Sequence, residues 1–171
     1  MEQMVNLQLI EVREADKAVL ANLIQLYRYD LSEFRGYELS SHGTYVYRYL
    51  DHYFLEADRR ASFIDVDGHL AGFCLTRRLE SDLCSMAEFF VVRAHRHRGI
   101  AQAAATLAFT SDPGRWQVAV DHDNTPALRF WTKLIESVAA TEFSHRDRFP
   151  PDVAFPGRWF EFEIANITRP Q

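Results

Sequence analysis

The chain is poor in cysteine, proline and glycine, with two, six and seven in 171 residues. Two thiols, Cys74 and Cys84, make no disulfide framework, and their separation is wrong for a CxxC pair. Both fall in strand-like segments, which predicts buried thiols in a reduced, cytoplasmic setting. No apolar run approaches the roughly 20 residues that span a bilayer. The opening Met1-Glu2-Gln3-Met4-Val5-Asn6 lacks the basic and apolar regions of a secretion signal, so no membrane association is expected. Positive charge is in deficit: 19 Lys and Arg stand against 24 Asp and Glu, a formal charge of −5. That argues against nucleic acid as a partner and tolerates cationic acceptors. A nucleoside-triphosphate loop, G-x-x-x-x-G-K-[ST], is missing, and so is the dinucleotide fingerprint G-x-G-x-x-G. There is no internal repeat, linker or low-complexity tract. With 47% hydrophobic residues the chain is globular, and residues 1–171 are expected to form one domain.

What the chain does have is a basic turn between an apolar strand and a helix of small residues. Phe89-Phe90-Val91-Val92 reads as the strand, and Gln102-Ala103-Ala104-Ala105-Thr106-Leu107-Ala108-Phe109 reads as the helix. Between them lies Arg96-His97-Arg98-Gly99-Ile100-Ala101. A helix start leaves N–H groups unpaired at the positive end of its dipole, a ready site for phosphate. Gly99 and Ala101 put little side chain in the way. Arg96 and Arg98 add long-range attraction for an anion. Taken alone, this stretch reads equally as a solvated basic turn.

A second segment follows the turn Asp112-Pro113-Gly114 and the strand-like run Trp116–Asp121. It begins Asn124-Thr125-Pro126-Ala127-Leu128-Arg129-Phe130-Trp131. Asn124 or Thr125 suits a helix cap, Pro126 suits its first turn, and Ala127, Phe130, Trp131 and Leu134 share a face. Arg96-x-x-Gly99-x-Ala101 and Asn124-x-x-Ala127-x-x-Phe130 together resemble two motifs of the GNAT acetyltransferase superfamily. Those motifs are [QR]-x-x-G-x-[GA] and, after the fifth strand, N-x-x-A-x-x-F-Y-x-x-x-G-F. The resemblance covers roughly residues 60–135, and the whole chain by element order.

Periodicity predicts a strand over Val5–Val12 and a helix over Glu14–Phe34. An aromatic helix over Tyr45–Phe54 follows the loop at 35–43. Strands Ala61–Val66 and Leu70–Leu79 are joined by the hairpin signal Asp67-Gly68. Next come a strand over Cys84–Arg93, a helix to about Thr110, a strand near Val118 and a helix from Asn124. Strands over Val138–His145 and Trp159–Ile167 close the chain. The order β-α-α-β-β-β-α-β-α-β-β mixes hairpins with strand–helix–strand crossovers. The fold class is therefore α+β, a mixed sheet with helices on both faces, which is the GNAT order.

The resemblance implies attack by a neutral amine on the thioester of acetyl-coenzyme A, with the reactants held close and a proton removed. It implies that the fourth strand splays from the fifth and that the pantetheine arm pairs around Phe89 and Val91. Phosphates then meet the amides of Arg98, Gly99, Ala101 and Gln102, with Arg96 leading the loop, and Asn124 touches the cofactor arm. Trp131 stands where many members carry a tyrosine as general acid. An indole N–H has no useful acidity, so the acid is left unassigned, and Trp131 reads either as a group that packs against the cofactor or as a core aromatic.

Glu88, just ahead of Phe89-Phe90-Val91, is the first candidate for general base, and His122, between Asp121 and Asp123, is the second. The resemblance implies an acceptor wall built from the first helical region, with Tyr27, Asp30 and Glu33, and from the loops at 35–43 and 146–157; a solvated helix face explains the three residues equally well. His95-x-His97 lacks acidic or cysteine co-ligands at metal spacing. The expected function is N-acetyl transfer to a primary amine of a small molecule or of a protein or peptide. A non-catalytic acyl-coenzyme A sensor or interaction domain is the alternative that Trp131 favours. Monomer and homodimer are both compatible with the chain, the last strand being available to pair between subunits.

Overall fold

The computed structural model describes residues 5–80 and 82–166. Strand β1 (Leu7–Glu11) leads through a 3-10 turn into helix α1 (Lys17–Arg35). α1 buries Leu20, Leu23, Ile24 and Leu31, a helical stripe. It ends at Gly36, whose φ of 59° is left-handed and whose N–H bonds the Ser32 carbonyl. A single turn, α2 (His52–Leu55), precedes the antiparallel strands β2 (Arg59–Val66), β3 (His69–Glu80) and β4 (Leu83–Val91). Asp67 and Gly68, both at positive φ, make the β2–β3 turn. Helix α3 (Ile100–Ser111), strand β5 (Gly114–Asp121), helix α4 (Thr125–Val138), and strands β6 (Ser144–Arg148) and β7 (Gly157–Ile164) complete the order.

The seven strands form one mixed sheet, ordered β1-β2-β3-β4-β5-β7-β6. Only the β4–β5 neighbours are parallel. Alternation along β4 sends Phe90 to one face and Phe89 and Val91 to the other. Phe90 packs with Phe73, Leu75 and the α1 stripe. On the opposite face Phe109 of α3, and Trp131, Leu134 and Ile135 of α4, close over Trp116, Val118, Phe160 and Phe162. Each such side chain contributes roughly 1.5–3 kcal/mol by leaving water. The class and the element order are as the sequence implies.

Two elements differ from expectation. The stretch expected as a helix over Tyr45–Phe54 is helical only over His52–Leu55. The Gln25 side chain holds both backbone groups of Tyr45, accepting from its N–H at 2.7 Å and donating to its carbonyl at 2.9 Å. Arg28 takes the Val46 carbonyl at 3.1 Å. Those groups are thereby turned toward α1 and are lost to a helical ladder. The strand expected over Val138–His145 begins only at Ser144, because α4 runs on to Val138. Ala139 N–H still bonds the Ile135 carbonyl at 2.9 Å. The last strand is Gly157–Ile164; Ile167, where it was expected to end, lies outside the described residues.

Candidate active site

β4 and β5 pair from Leu83↔Arg115 to Met86↔Val118 and no further. Beyond Val118, β5 is held by β7 alone, to Asp121↔Gly157. Beyond Met86, β4 is held by β3 alone. At the parting point β4 carries a bulge: Met86 faces Thr76 and Glu88 faces Leu75, leaving Ala87 extra. A bulge bends a strand and increases its twist, so the two strands diverge from here. Two cavities meet in the gap. The larger, about 750 Å³, runs from Tyr27 and Asp30 of α1 to the start of α3 and the flank of α4. The smaller, about 80 Å³, is lined by Glu88, Arg35, Asp121 and the end of β5. Tyr27, Leu31, Phe89, Asn124, Ala127 and Trp131 line both.

The loop after β4 carries His97 at φ 58° and Gly99 at φ 75°. Gly99 opens α3 without any side-chain cap, so the first-turn amides stay available to a ligand. A Cβ on Gly99 would meet nothing within 4 Å, so glycine is required there by φ and not by space. Arg96, by contrast, is engaged within the protein. Its Nε donates to the Val91 carbonyl at 2.7 Å, and its Nη2 donates to Asp30 on α1. The other Asp30 oxygen accepts from Arg93 at 2.8 Å. Burial works against charge on Asp30, but the two arginines outweigh it and hold the carboxyl below its ordinary value. Gly99, Ala101, Gln102, Phe89, Val91 and Arg96 all line the larger cavity. Arg98 is exposed and is not among its lining residues.

Asn124 caps α4: its Oδ1 accepts from Ala127 N–H at 3.1 Å, while the residue lines both cavities. Trp131 is 7% exposed and meets Phe89 edge-on at 5.4 Å, with Phe130 at 5.0 Å. It packs as a core aromatic whose edge lines both cavities at their junction.

Glu88 sits on the α1 side of β4. Its Oε2 accepts from the Tyr27 hydroxyl at 2.5 Å. Burial raises the Glu88 carboxyl above its ordinary value. Hydrogen bonds from Tyr27 and Tyr47, and the nearby Arg35 and Arg28, work in the opposite direction. The tyrosines stay protonated: burial, then the Glu88 charge, pushes Tyr27 and Tyr47 well up and Tyr53 to about 12. A half-buried carboxylate held above its ordinary value by burial is better suited to accept a proton than a free one.

Two residues of this site have no signal in the sequence. Arg35 grips Asp121, 86 residues on, with Nε–Oδ1 at 2.8 Å and Nη2–Oδ2 at 3.0 Å. Asp121 is the one buried charged residue among those described, at 6% exposure. Arg35 also donates to Tyr37 at 2.9 Å and stacks on Phe155 at 3.7 Å. His122, the second candidate base, points elsewhere. Its Nε2 lies 3.1 Å from Asp147, its ring rests against Phe149, and it lines neither cavity. Tyr27, Asp30 and Glu33 all line the larger cavity.

The divergent β4–β5 pair with a glycine-led helix start at one end is the arrangement that the sequence resemblance implies. The chain belongs to the acetyltransferase (GNAT) family, whose model matches residues 23–135. Acyl transfer is thus its chemistry, and the family draws on acetyl-coenzyme A. Among solved structures, an acetyltransferase from Thermus thermophilus is similar with a TM-score of 0.67 and 18% identity, covering 93% of this chain and 97% of the other. A spermidine N-acetyltransferase chimera from Vibrio cholerae and hSSAT is similar at 0.60 and 11%, covering 94% and 96%. An acetyltransferase from Bacillus subtilis in complex with CoA is similar at 0.56 and 10%, covering 94% and 99%. At these identities the likeness is one of fold. No curated protein matches the chain. No helix among the described residues is long and apolar enough to cross a membrane.

Proposed function

We propose that the protein is an N-acetyltransferase that moves the acetyl group of acetyl-coenzyme A to a primary amine, of a small molecule or of a protein or peptide. The observation that carries this reading is the position of Glu88. It lies where β4 leaves β5, in a cavity that shares Tyr27, Phe89, Asn124 and Trp131 with the groove leading to the α3 N-terminus. Residues 1–171 act as one cytoplasmic domain in this reading.

The chain's own groups fit the cosubstrate. The first-turn amides from Gly99 to Gln102 lie uncapped at a helix N-terminus and suit a diphosphate. The Arg98 side chain, exposed beside them, adds attraction from solvent and not a contact inside the groove. Arg96 shapes the loop through Val91 and Asp30. β4 from Ala87 to Phe89 has no sheet partner on its β5 side, which leaves backbone groups for an extended arm. Acetyl-coenzyme A supplies an activated thioester when bound. Phe89 and Trp131 exclude water at the junction, and Asn124, fixed by its capping bond, borders it. Glu88 accepts a proton from the amine, with Tyr27 and Tyr47 holding the carboxylate in place.

Calorimetry with coenzyme A, and thiol release from acetyl-coenzyme A in the presence of an amine panel, test this. Saturable binding with amine-dependent release is expected, and release falls in Glu88→Gln. Binding without release for any amine favours the sensor reading instead. Absence of binding by folded protein removes both.

A further inference from the structure

We propose that Arg35 is a positioning residue for acetyl transfer: by tying the end of α1 to Asp121, it sets where β5 stands across the gap from Glu88. The inference rests on the acyltransfer reading and deepens it. Past Val118, β5 has no partner on its β4 side. The contact it receives there from a charged side chain is the Arg35 fork, two near-parallel bonds of 2.8 and 3.0 Å to one carboxylate. Such a pair fixes direction as well as distance.

The same helix holds the other strand. Tyr27, eight residues before Arg35, bonds Glu88 on β4. At 1.5 Å rise per residue the two anchor points are about 12 Å apart along α1. A rigid helix attached to both diverging strands fixes their separation. Arg35 is itself fully directed: Nε and Nη2 go to Asp121, Nη1 goes to the Tyr37 hydroxyl, and Phe155 covers its face. Arg35, Asp121 and Glu88 line the 80 Å³ cavity together. A buried ion pair contributes little to stability over a well-packed apolar pair, so stability alone does not account for this one. Misplacing reacting groups by about 1 Å can lower a rate by around a hundredfold, which accounts for it as a matter of position.

The test compares Arg35→Lys with the paired replacement Arg35→Met/Asp121→Leu. The paired variant removes both charges, so no lone charge is left buried. We expect it to retain its melting temperature and to bind coenzyme A within twofold of wild type. We expect kcat for amine acetylation to fall at least tenfold with KM for acetyl-coenzyme A unchanged. Hydrogen exchange at Ala119–Asp121 should quicken. Arg35→Lys keeps the charge and loses the fork, so its kcat should also fall while the pH profile stays in place.

If Arg35 acts only as a charge near Glu88, Arg35→Lys restores full activity and the paired variant merely shifts its acidic limb upward; that outcome overturns the proposal. So does a folded paired variant with wild-type kcat. If the paired variant does not fold, Arg35→Lys decides alone. If wild type transfers acetyl to no amine, the N-acetyltransferase reading fails. The mechanical claim is then judged by exchange at Ala119–Asp121, and unchanged exchange overturns it.

Discussion

The Tyr27 hydroxyl donates to Glu88 Oε2 at 2.5 Å, joining α1 to β4 across 61 residues of sequence. A hydrogen bond to an ionised group is worth about 1.5–3 kcal/mol, or roughly one to two pKa units. This bond favours the charged form of Glu88 and opposes the upward push of burial. Tyr27→Phe therefore raises the Glu88 pKa further. The acidic limb of the kcat/KM profile should move to higher pH, while coenzyme A affinity stays unchanged. A pH–rate profile with an unmoved limb would exclude Glu88 as the titrating base.

Glu88→Gln should separate activity from stability. A carboxyl whose folded pKa is raised above its unfolded value supports the fold below the unfolded pKa. That support is lost as pH rises through the folded pKa. At pH 7 the wild type therefore carries a desolvation cost that glutamine does not. Amine acetylation should fall about 10²–10⁴-fold in Glu88→Gln, while its melting temperature equals or exceeds wild type at pH 7 and the difference vanishes near pH 4. A lower melting temperature at pH 7 would contradict this.

Asp30 works in the opposite direction. Its folded pKa is held below the ordinary value by Arg96 and Arg93 despite burial. It contributes stability above its unfolded pKa and loses it as pH falls through the folded one. Asp30→Asn should lower the melting temperature at pH 7 and flatten its decline below about pH 4. It should also make coenzyme A binding more sensitive to salt, because Arg93 and Arg96 are left without their carboxylate. Thermal melts across pH 3–7 check the first two effects, and titrations at two ionic strengths check the third.

Gly99 and Gly72 are glycines for different reasons. Gly99 has φ 75° and open space around its missing Cβ. Gly99→Ala should cost roughly 1 kcal/mol of stability, a few degrees at this size, but weaken coenzyme A binding at least tenfold. At Gly72 a Cβ would run into the Phe90 backbone carbonyl on β4. Gly72→Ala should cost about 3 kcal/mol or more, with binding near normal in whatever protein remains folded. Melting curves beside calorimetric titrations distinguish the two.

Local signals accounted for the elements that bury their own stripe or carry their own caps. α1 and α4 are legible as amphipathic helices, Asn124 as a cap, Asp67-Gly68 as a hairpin turn, and Gly99 as the opening of α3. The segment at 45–51 reads as helix because Tyr45 and Tyr49 fall four apart, yet it is not helical. Gln25 and Arg28, some 20 residues earlier, claim its backbone groups instead. No window of local sequence contains that competition.

The sequence alone determined the element order, the glycine-led start of α3 and the family resemblance, because turn residues, caps and hydrophobic periods act over a few neighbouring positions. Tertiary structure alone decided which polar groups meet: the charge pairs Arg35 with Asp121 and Asp30 with Arg96, and the neutral Tyr27 hydroxyl with the Glu88 carboxyl. It also decided that His122 faces Asp147 and not the gap. Electrostatic partners are chosen by distance through space after the sheet has assembled, and that distance is not written in any local pattern.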